Sequence, residues 1–288
     1  MEKIIKMSVA SLFLATMFVG FTSCSDDNEE PEKDKNTQEI VNPSNVFTGE
    51  MPKSIAGSTI SRNSENLVTE ILTEDGKLIT FDYVTLSRAS EQINKVKMTI
   101  LDDDLKSEYD MTIGDNGFVC ESGVKITSDS GNKKDEEEGI WSFTYDSEGH
   151  LINAKHIYRD IYGDGQYYVT LKWKDNNIIR TFKDDDMWDN YTYQYTSTDY
   201  PTPIENKGAI FMFEDIYPIE IYDFEWVYYA GMLGKGPKNL AVSSCEDYDN
   251  KEEEYVEFFI WTLNQDGYPI KFDNKNEPDS WSLVKFAW

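Results

Sequence analysis

The chain has 288 residues and a formal net charge of −27, from 54 acidic and 27 basic side chains. This excess of carboxylates argues against a nucleic-acid partner, because phosphate binding needs clustered Lys and Arg. Aromatic residues make up 14% of the chain. Because such residues bury large areas on half-buried strands, the sequence predicts a packed, strand-rich core.

Residues 1–23 are predicted to be a cleaved secretion signal. Lys3 and Lys6 form a basic start, and the apolar stretch that follows is short for a membrane-spanning helix. The sequence Phe21-Thr-Ser-Cys24 then resembles a lipobox, although Phe21 stands where the pattern prefers Leu. The resemblance implies that Cys24 is acylated, and acyl chains contribute about 0.8 kcal/mol per buried methylene to holding a protein on a bilayer. The alternative is a plain secretory signal with a chance cysteine.

Residues 24–48 are predicted to be a disordered tether. The run from Ser25 to Gln38 is acidic and almost without apolar side chains, so it cannot offset its own ordering entropy. An acidic run directly after a lipidated cysteine also resembles the export signal of Bacteroidetes surface lipoproteins. That resemblance implies a protein that is lipid-anchored in the outer membrane and exposed at the cell surface, with the periplasmic face as the alternative.

The remaining residues, 49–288, are predicted to be a single β-domain. Short apolar runs alternate with turn residues, and one unit recurs in which an acidic residue is followed by Gly or Asn and then by a new apolar run. Such pairs supply the positive φ angles that tight hairpin turns need. The turns are Asp75-Gly76, Glu148-Gly149, Asp175-Asn176 and Asp266-Gly267, with Asn116-Gly117 as a candidate fifth.

The expected fold is all-β. Trp141, Phe143 and Tyr145 alternate with polar residues, as strands do in an antiparallel sheet with one buried face. Residues 223–233 instead have apolar side chains at near-helical spacing, followed by Gly and Pro. The sequence therefore predicts an antiparallel sheet of repeated hairpins, with one short helix near 223–233 that packs on the sheet or plugs it.

Several of these features together resemble a known family. The lipobox with its acidic tail, the hairpin units, the segment 231–240 and the closing run 261–270 look like the Bacteroidetes lipoprotein family called domain of unknown function 4595, described as having a porin-like fold. The resemblance covers residues 66–288 and implies a curved or barrel-like antiparallel sheet that is tethered rather than membrane-spanning. The family has no established activity, so the resemblance transfers no functional residue.

The sequence contains no catalytic, metal-binding or cofactor motif. His150, His156 and Cys120 form no local nucleophile motif, and the acidic runs lack EF-hand spacing. Carboxylates are so numerous that no glycosidase pair stands out. Cys120 and Cys245 either pair in an oxidising compartment or stay small buried side chains. We therefore expect no enzyme activity, no cofactor and no metal.

One aromatic cluster is a candidate binding site. Trp188, Tyr191 and Tyr193 follow an acidic run, and such rings stack on sugars. They are predicted to bind a glycan or an apolar small molecule, the alternative being that they face the core. The leading functional prediction is a non-catalytic ligand-binding module anchored to the bilayer through its acyl chains. A structural or host-interaction module without a small ligand is the first alternative, and an unrecognised hydrolase is the second.

Overall fold

The structure, a computed structural model, describes residues 41–86, 93–128, 136–184, 190–221, 223–246, 255–276 and 284–288. The predicted signal peptide, Cys24 and Trp188 lie outside these ranges. Residues 39–288 form one compact unit. No helix within the described ranges has both the length and the hydropathy that crossing a membrane requires.

Within these ranges, sixteen strands form a closed antiparallel barrel in which the first strand pairs with the last. Closure is made by Ser54 opposite Ala287 and Ile55 opposite Phe286. The predicted all-β, barrel-like fold is thereby confirmed. The strands are β1 Ser54–Ile55, β2 Ser58–Arg62, β3 Val68–Leu72, β4 Leu78–Leu86, β5 Ile93–Asp102, β6 Leu105–Ile113, β7 Val119–Ser128, β8 Glu137–Tyr145, β9 Leu151–Asp160, β10 Gly163–Lys174, β11 Asn177–Lys183, β12 Asn190–Gln194, β13 Ser243–Glu246, β14 Tyr255–Leu263, β15 Pro269–Asn274 and β16 Val284–Ala287.

The hairpin turns are formed where the sequence predicts them. Gly76 and Gly149 have φ angles of +95° and +91°, values that a side chain with a Cβ rarely adopts. At the turn after β8, the carboxylate of Asp146 also accepts the backbone N–H groups of Glu148 and His150, each at 2.9 Å. Short polar side chains thus fix these turns locally.

The connections alternate between the two ends of the barrel, because every strand runs antiparallel to its neighbours. The turns after β1, β3, β5 and β9 lie at one end, which we call the mouth. The turns after β6, β8, β10 and β14 lie at the other end, which we call the closed end. Residues 41–50 contact turns of the closed end, so the chain enters the barrel from that side.

The barrel is filled by its own chain. The connection between β12 and β13, residues 195–242, leaves the closed end and runs through the interior, where most of its apolar side chains are buried. It contains the helix α1, Phe224–Tyr229, which confirms the predicted helix and its plugging position. The Phe224 ring packs 4.7 Å from the ring of Phe143 and 5.4 Å from that of Trp141.

Aromatic rings and their hydroxyl groups hold this filling in place. The Phe211 ring meets the rings of Tyr217 and Tyr228 edge to face, with centroids 5.3 and 5.1 Å apart. The Tyr228 hydroxyl donates to the carbonyl of Ala209 at 2.6 Å, so its burial leaves this polar group paired. The interior is therefore a close-packed core within the barrel.

The outward face of the barrel carries paired charged side chains. Lys97 pairs with Glu108 across β5 and β6 at 2.6 Å, and Lys125 pairs with Glu138 across β7 and β8 at 3.3 Å. Exposed apolar residues such as Ile140 are interspersed among these ion pairs. The outer surface is therefore mixed in polarity.

The structure changes one predicted domain boundary and describes the two cysteines whose pairing the sequence leaves open. Val46 and Phe47 are buried, and the Phe47 ring packs 5.9 Å from that of Tyr228, so residues 41–48 belong to the packed unit although the sequence assigns them to the tether. The apolar side chains at these positions explain the difference. No disulfide joins Cys120 and Cys245, of which the first is exposed and the second half-buried.

The packing of the internal segment predicts that Phe→Ala substitutions at two positions lower the free energy of unfolding by very different amounts. Phe224→Ala removes a ring that is 1% exposed, and we expect it to lower the free energy of unfolding by about 3–5 kcal/mol through loss of burial and the cavity left behind. Phe258→Ala removes a ring that is 43% exposed on the outer face, and should cost less than about 1 kcal/mol. Urea unfolding measures both. Equal losses in the two variants would contradict the internal position of α1.

Candidate functional site

An aromatic cavity opens at the mouth, with a volume of about 450 Å³. Two strands place its wall, because Trp141 on β8 stands directly opposite His156 on β9. The two rings stack in parallel with centroids 4.1 Å apart, and Tyr158 stacks on the other side of the imidazole at 5.1 Å. The cavity is lined by Tyr109, Val124, Glu137, Trp141, His156, Tyr158, Asp160, Tyr167, Lys183, Glu220, Ile221, Asp223 and Phe224.

Two glycines make room for these rings. A Cβ at Gly165 would lie 2.4 Å from Cζ of Tyr158, and a Cβ at Gly139 would lie 2.7 Å from Nε2 of His156. Both distances are far shorter than van der Waals contact. The absence of side chains on the neighbouring strands thus lets the aromatic rings lie flat against the barrel wall.

An acidic cavity of about 630 Å³ lies beside the aromatic one, and Asp223 lines both. Its carboxylates outnumber its cations, since Lys77 is the sole basic residue among the lining residues. Lys77 already contacts Asp102 at 3.2 Å and Asp75 at 3.7 Å. The acidic cavity is lined by Ala56, Ser58, Thr73, Glu74, Asp75, Lys77, Ile100, Met212, Glu214, Asp215, Asp223, Glu225 and Trp226.

Two carboxyl groups of the acidic cavity have raised pKa values. Glu225 is 7% exposed, and burial together with repulsion from Asp215 and Glu214 raises its pKa to about 8, against the lowering effect of the hydrogen bond from the Phe213 N–H. That bond is 2.8 Å long. Asp215 is in contact with solvent, yet it lies within the concave mouth, and burial raises its pKa to about 6. Both groups therefore titrate near neutral pH.

Asp223 lies where the two cavities meet. Burial raises the pKa of its carboxyl group, although the hydroxyl of Tyr109 donates a hydrogen bond to it and Lys77 attracts its charge. In the aromatic cavity, burial likewise raises the pKa of Glu137. Carboxylates of the mouth are thus held in surroundings that disfavour their negative charge.

His156 is neutral at physiological pH, because burial lowers its pKa to about 4. His156 is 4% exposed, and its buried Nε2 atom has no hydrogen-bond partner. Nε2 lies 3.4 Å from a carboxylate oxygen of Glu137, which would be an ion pair only with a protonated ring. Neutral imidazole offers one donor and one acceptor, so this ring keeps hydrogen-bonding capacity that the described residues do not use.

Tyr191 and Tyr193, two of the residues predicted to bind a ligand, are not among the described residues that line the two cavities. Tyr193 is 6% exposed; its hydroxyl lies 2.6 Å from that of Thr181, and its ring packs 4.8 Å from the ring of Tyr217. Tyr191 is half-buried on β12. Trp188 and Cys24, the predicted acylation site, lie outside the described residues. The ligand-binding role of these residues stays a prediction, and Tyr193 itself occupies the core.

Sequence reasoning missed the residues of the mouth. Trp141 was recognised as a strand residue and His156 as one of two histidines, but nothing in the sequence pairs them. The available signal was the inward alternation of aromatic residues on two consecutive hairpin strands, next to glycines at 139 and 165.

The raised pKa of Glu225 predicts that ionisation weakens the fold. A carboxyl group whose pKa is higher in the folded than in the unfolded protein stabilises the fold below its unfolded pKa, and this contribution is lost as the pH rises toward about 8. We expect Glu225→Gln, which keeps an acceptor for the Phe213 N–H, to be more stable than the original protein at pH 9 by roughly 3–5 kcal/mol. At pH 5 the two should be nearly equal.

Urea unfolding between pH 5 and 9 measures this effect. Glu121→Gln is the matched control, because it removes the same charge from an exposed position on β7. Its curve should follow that of the original protein, and an identical pH profile for the two variants would show that Glu225 is not responsible.

Comparison with known proteins extends the description of the fold. A porin-like protein from Bacteroides uniformis is similar, with a TM-score of 0.50 and 15% sequence identity over 80% of this chain and 89% of that one. A porin-like protein from Bacteroides vulgatus has a TM-score of 0.39 and 9% identity over 83% of this chain and 99% of that one. This TM-score is too low to support a conclusion about the fold. These likenesses concern the fold alone.

No curated protein sequence matches the chain. A family model does match, over residues 56–271, which include β2 to β14 and the whole of the internal segment. The chain therefore belongs to the family described as domain of unknown function (DUF4595) with porin-like fold.

Proposed function

We propose that this protein is a non-catalytic, lipid-anchored binding protein of the bacterial cell surface, whose mouth receives a glycan or an apolar small molecule. The observation that carries the proposal is the aromatic cavity beside the acidic one at the mouth of a barrel that is otherwise filled. Cavities of 300–1,000 Å³ lined by aromatic side chains with a few polar groups are the usual form of small-molecule sites. The imidazole of His156 and the carboxylates of the mouth supply those polar groups.

The point at which the described chain begins supports this reading. Val41 is the first described residue, and the residues that follow lie against turns of the closed end, where Asn45 lines a surface cavity with Asn116 and Asp146. A tether that joins the barrel there would leave the mouth unobstructed. Acylation at Cys24 would then hold the protein on the bilayer while the mouth stays open to the surroundings, at the cell surface or, in the alternative, in the periplasm.

The outer face supports a tethered barrel that stands in water. A barrel that spans a bilayer has an apolar outward band, and charged side chains near its middle are costly. Here the ion pair Lys97–Glu108 lies at mid-strand on the outward face, and the ion pair Lys125–Glu138 lies nearer the mouth. The outer face is thus mixed in polarity rather than a continuous apolar band, and the interior is apolar and filled rather than a water-filled pore.

A structural or host-interaction role is the second candidate. It is favoured by the filled interior, because residues 195–242 occupy the volume in which a large barrel would otherwise hold a ligand. In that case the mouth would be a surface feature only, and no small molecule would bind there.

A binding screen distinguishes the two candidates. We expect residues 40–288 to retain a ligand from a glycan array or a lipid panel, and Tyr158→Ala to weaken its binding about tenfold, because the ring lines the aromatic cavity. Tyr162→Ala is the matched control, since Tyr162 is 80% exposed on the turn after β9. Absence of any binding at millimolar ligand would leave the structural role.

The anchor has its own test. Cys24→Ala should abolish incorporation of labelled palmitate and release the protein from the membrane fraction, because no other acylation site is expected. Ser25→Ala, which leaves the sulfur in place, is the control and should be labelled normally. A labelled, membrane-bound Cys24→Ala protein would refute the anchor.

A further inference from the structure

Charge is distributed unequally within the mouth. Six carboxylates line the acidic cavity together with one lysine, which already contacts Asp75 and Asp102. The lysine of the aromatic cavity, Lys183, is likewise paired, with Glu220. The negative charges that remain have no basic partner among the residues that line the two cavities. The carboxylates of the acidic cavity are Glu74, Asp75, Glu214, Asp215, Asp223 and Glu225.

Two buried side chains of the mouth keep unused hydrogen-bonding atoms. Nε2 of His156 is buried and unpaired, and neither ring nitrogen bonds a described residue. Glu225 uses one carboxylate oxygen for the Phe213 N–H; no described residue donates to the other oxygen, which is not among the fully buried unpaired atoms and belongs to a residue that lines the acidic cavity. An accessible acceptor without a protein partner is available to a donor from outside the chain.

The structure already shows how an amine is held at this site. The Nζ atom of Lys183 lies 4.7 Å from the ring centroid of Tyr167 and pairs with Glu220, which combines a cation–π contact with a carboxylate. Tyr158 and Trp141 present further aromatic surface in the same cavity. An ammonium group from outside would meet the same two kinds of partner.

We propose that the ligand of the mouth carries a positively charged amine, which contacts Asp223 and Glu225 while the rest of the ligand lies against the aromatic wall. The proposal rests on the proposed binding function and specifies its chemistry. A metal ion fits less well, because no three His, Cys, Asp or Glu side chains of the described residues converge as metal ligands. The cavity volumes also suit an organic molecule rather than a bare ion.

Calorimetric titration of the purified full chain in non-ionic detergent tests the proposal. Glucosamine and N-acetylglucosamine share one ring but differ in charge, and spermidine carries the amine without a sugar. We expect glucosamine or spermidine to bind at least tenfold more tightly than N-acetylglucosamine, and the affinity to fall at high salt. The comparison of the two amines identifies whether the source is a sugar or a polyamine.

Variants locate the binding. Asp223→Asn, which keeps an acceptor for Tyr109, should weaken amine binding roughly ten- to a hundredfold, as expected for loss of a charge-assisted contact. Glu225→Gln, which keeps an acceptor for Phe213, removes a carboxyl group with a pKa of about 8 that is mostly protonated at neutral pH, so it should also weaken binding, but less. Glu121→Gln, at an exposed site near the closed end, should leave it unchanged. Circular dichroism checks that each variant is folded, and the salt dependence of the original protein provides an independent measurement.

The outcomes separate this proposal from the one on which it rests. A neutral glycan or lipid that binds while the amines do not would overturn the amine and preserve the binding function. No binding of amines or neutral ligands at millimolar concentration would overturn both. Calcium that binds alone, loses affinity in Asp223→Asn and Glu225→Gln, and excludes the amines would replace the amine by a metal ion.

Discussion

The barrel depends on being filled from within. A closed ring of sixteen strands turns one side of every strand toward a common interior, and strand side chains fill such an interior only in much smaller barrels. Residues 195–242 supply the missing volume, with rings such as Phe211 and Phe224 packed edge to face. The helix α1 has six residues, too few for a helix that is stable alone, so its stability comes from this packing.

The chemistry of the mouth follows from where the filling stops. Apolar side chains occupy the middle of the barrel, and the start of α1 places Asp223 and Glu225 in the lining of the acidic cavity. Both carboxyl groups line the cavity but are largely buried, and burial raises their pKa values. The strands β8 and β9 add aromatic rings, and Lys183 of β11 is paired with Glu220, so the site joins negative charge to flat apolar surface.

Local features of the fold were predictable and long-range ones were not. A turn such as Asp175-Asn176 needs positive φ within a few residues, so the sequence alone predicts it, and α1 was visible in its spacing and its terminal glycine. Family resemblance added the barrel-like form. Alternation along β12 separates two faces but does not say which faces inward, and for this reason Tyr193 was open to two interpretations. The mouth required the register of β8 and β9, which no local pattern contains.

Because the first strand pairs with the last, the barrel can close only after β16 has formed. Until Val284–Ala287 has formed β16, both β1 and β15 present unpaired backbone N–H and C=O groups. A chain synthesised from its N-terminus therefore cannot close this barrel until residues 284–287 have left the ribosome. Closure is thus a late step of folding, and until it occurs the edges of β1 and β15 can pair with other chains.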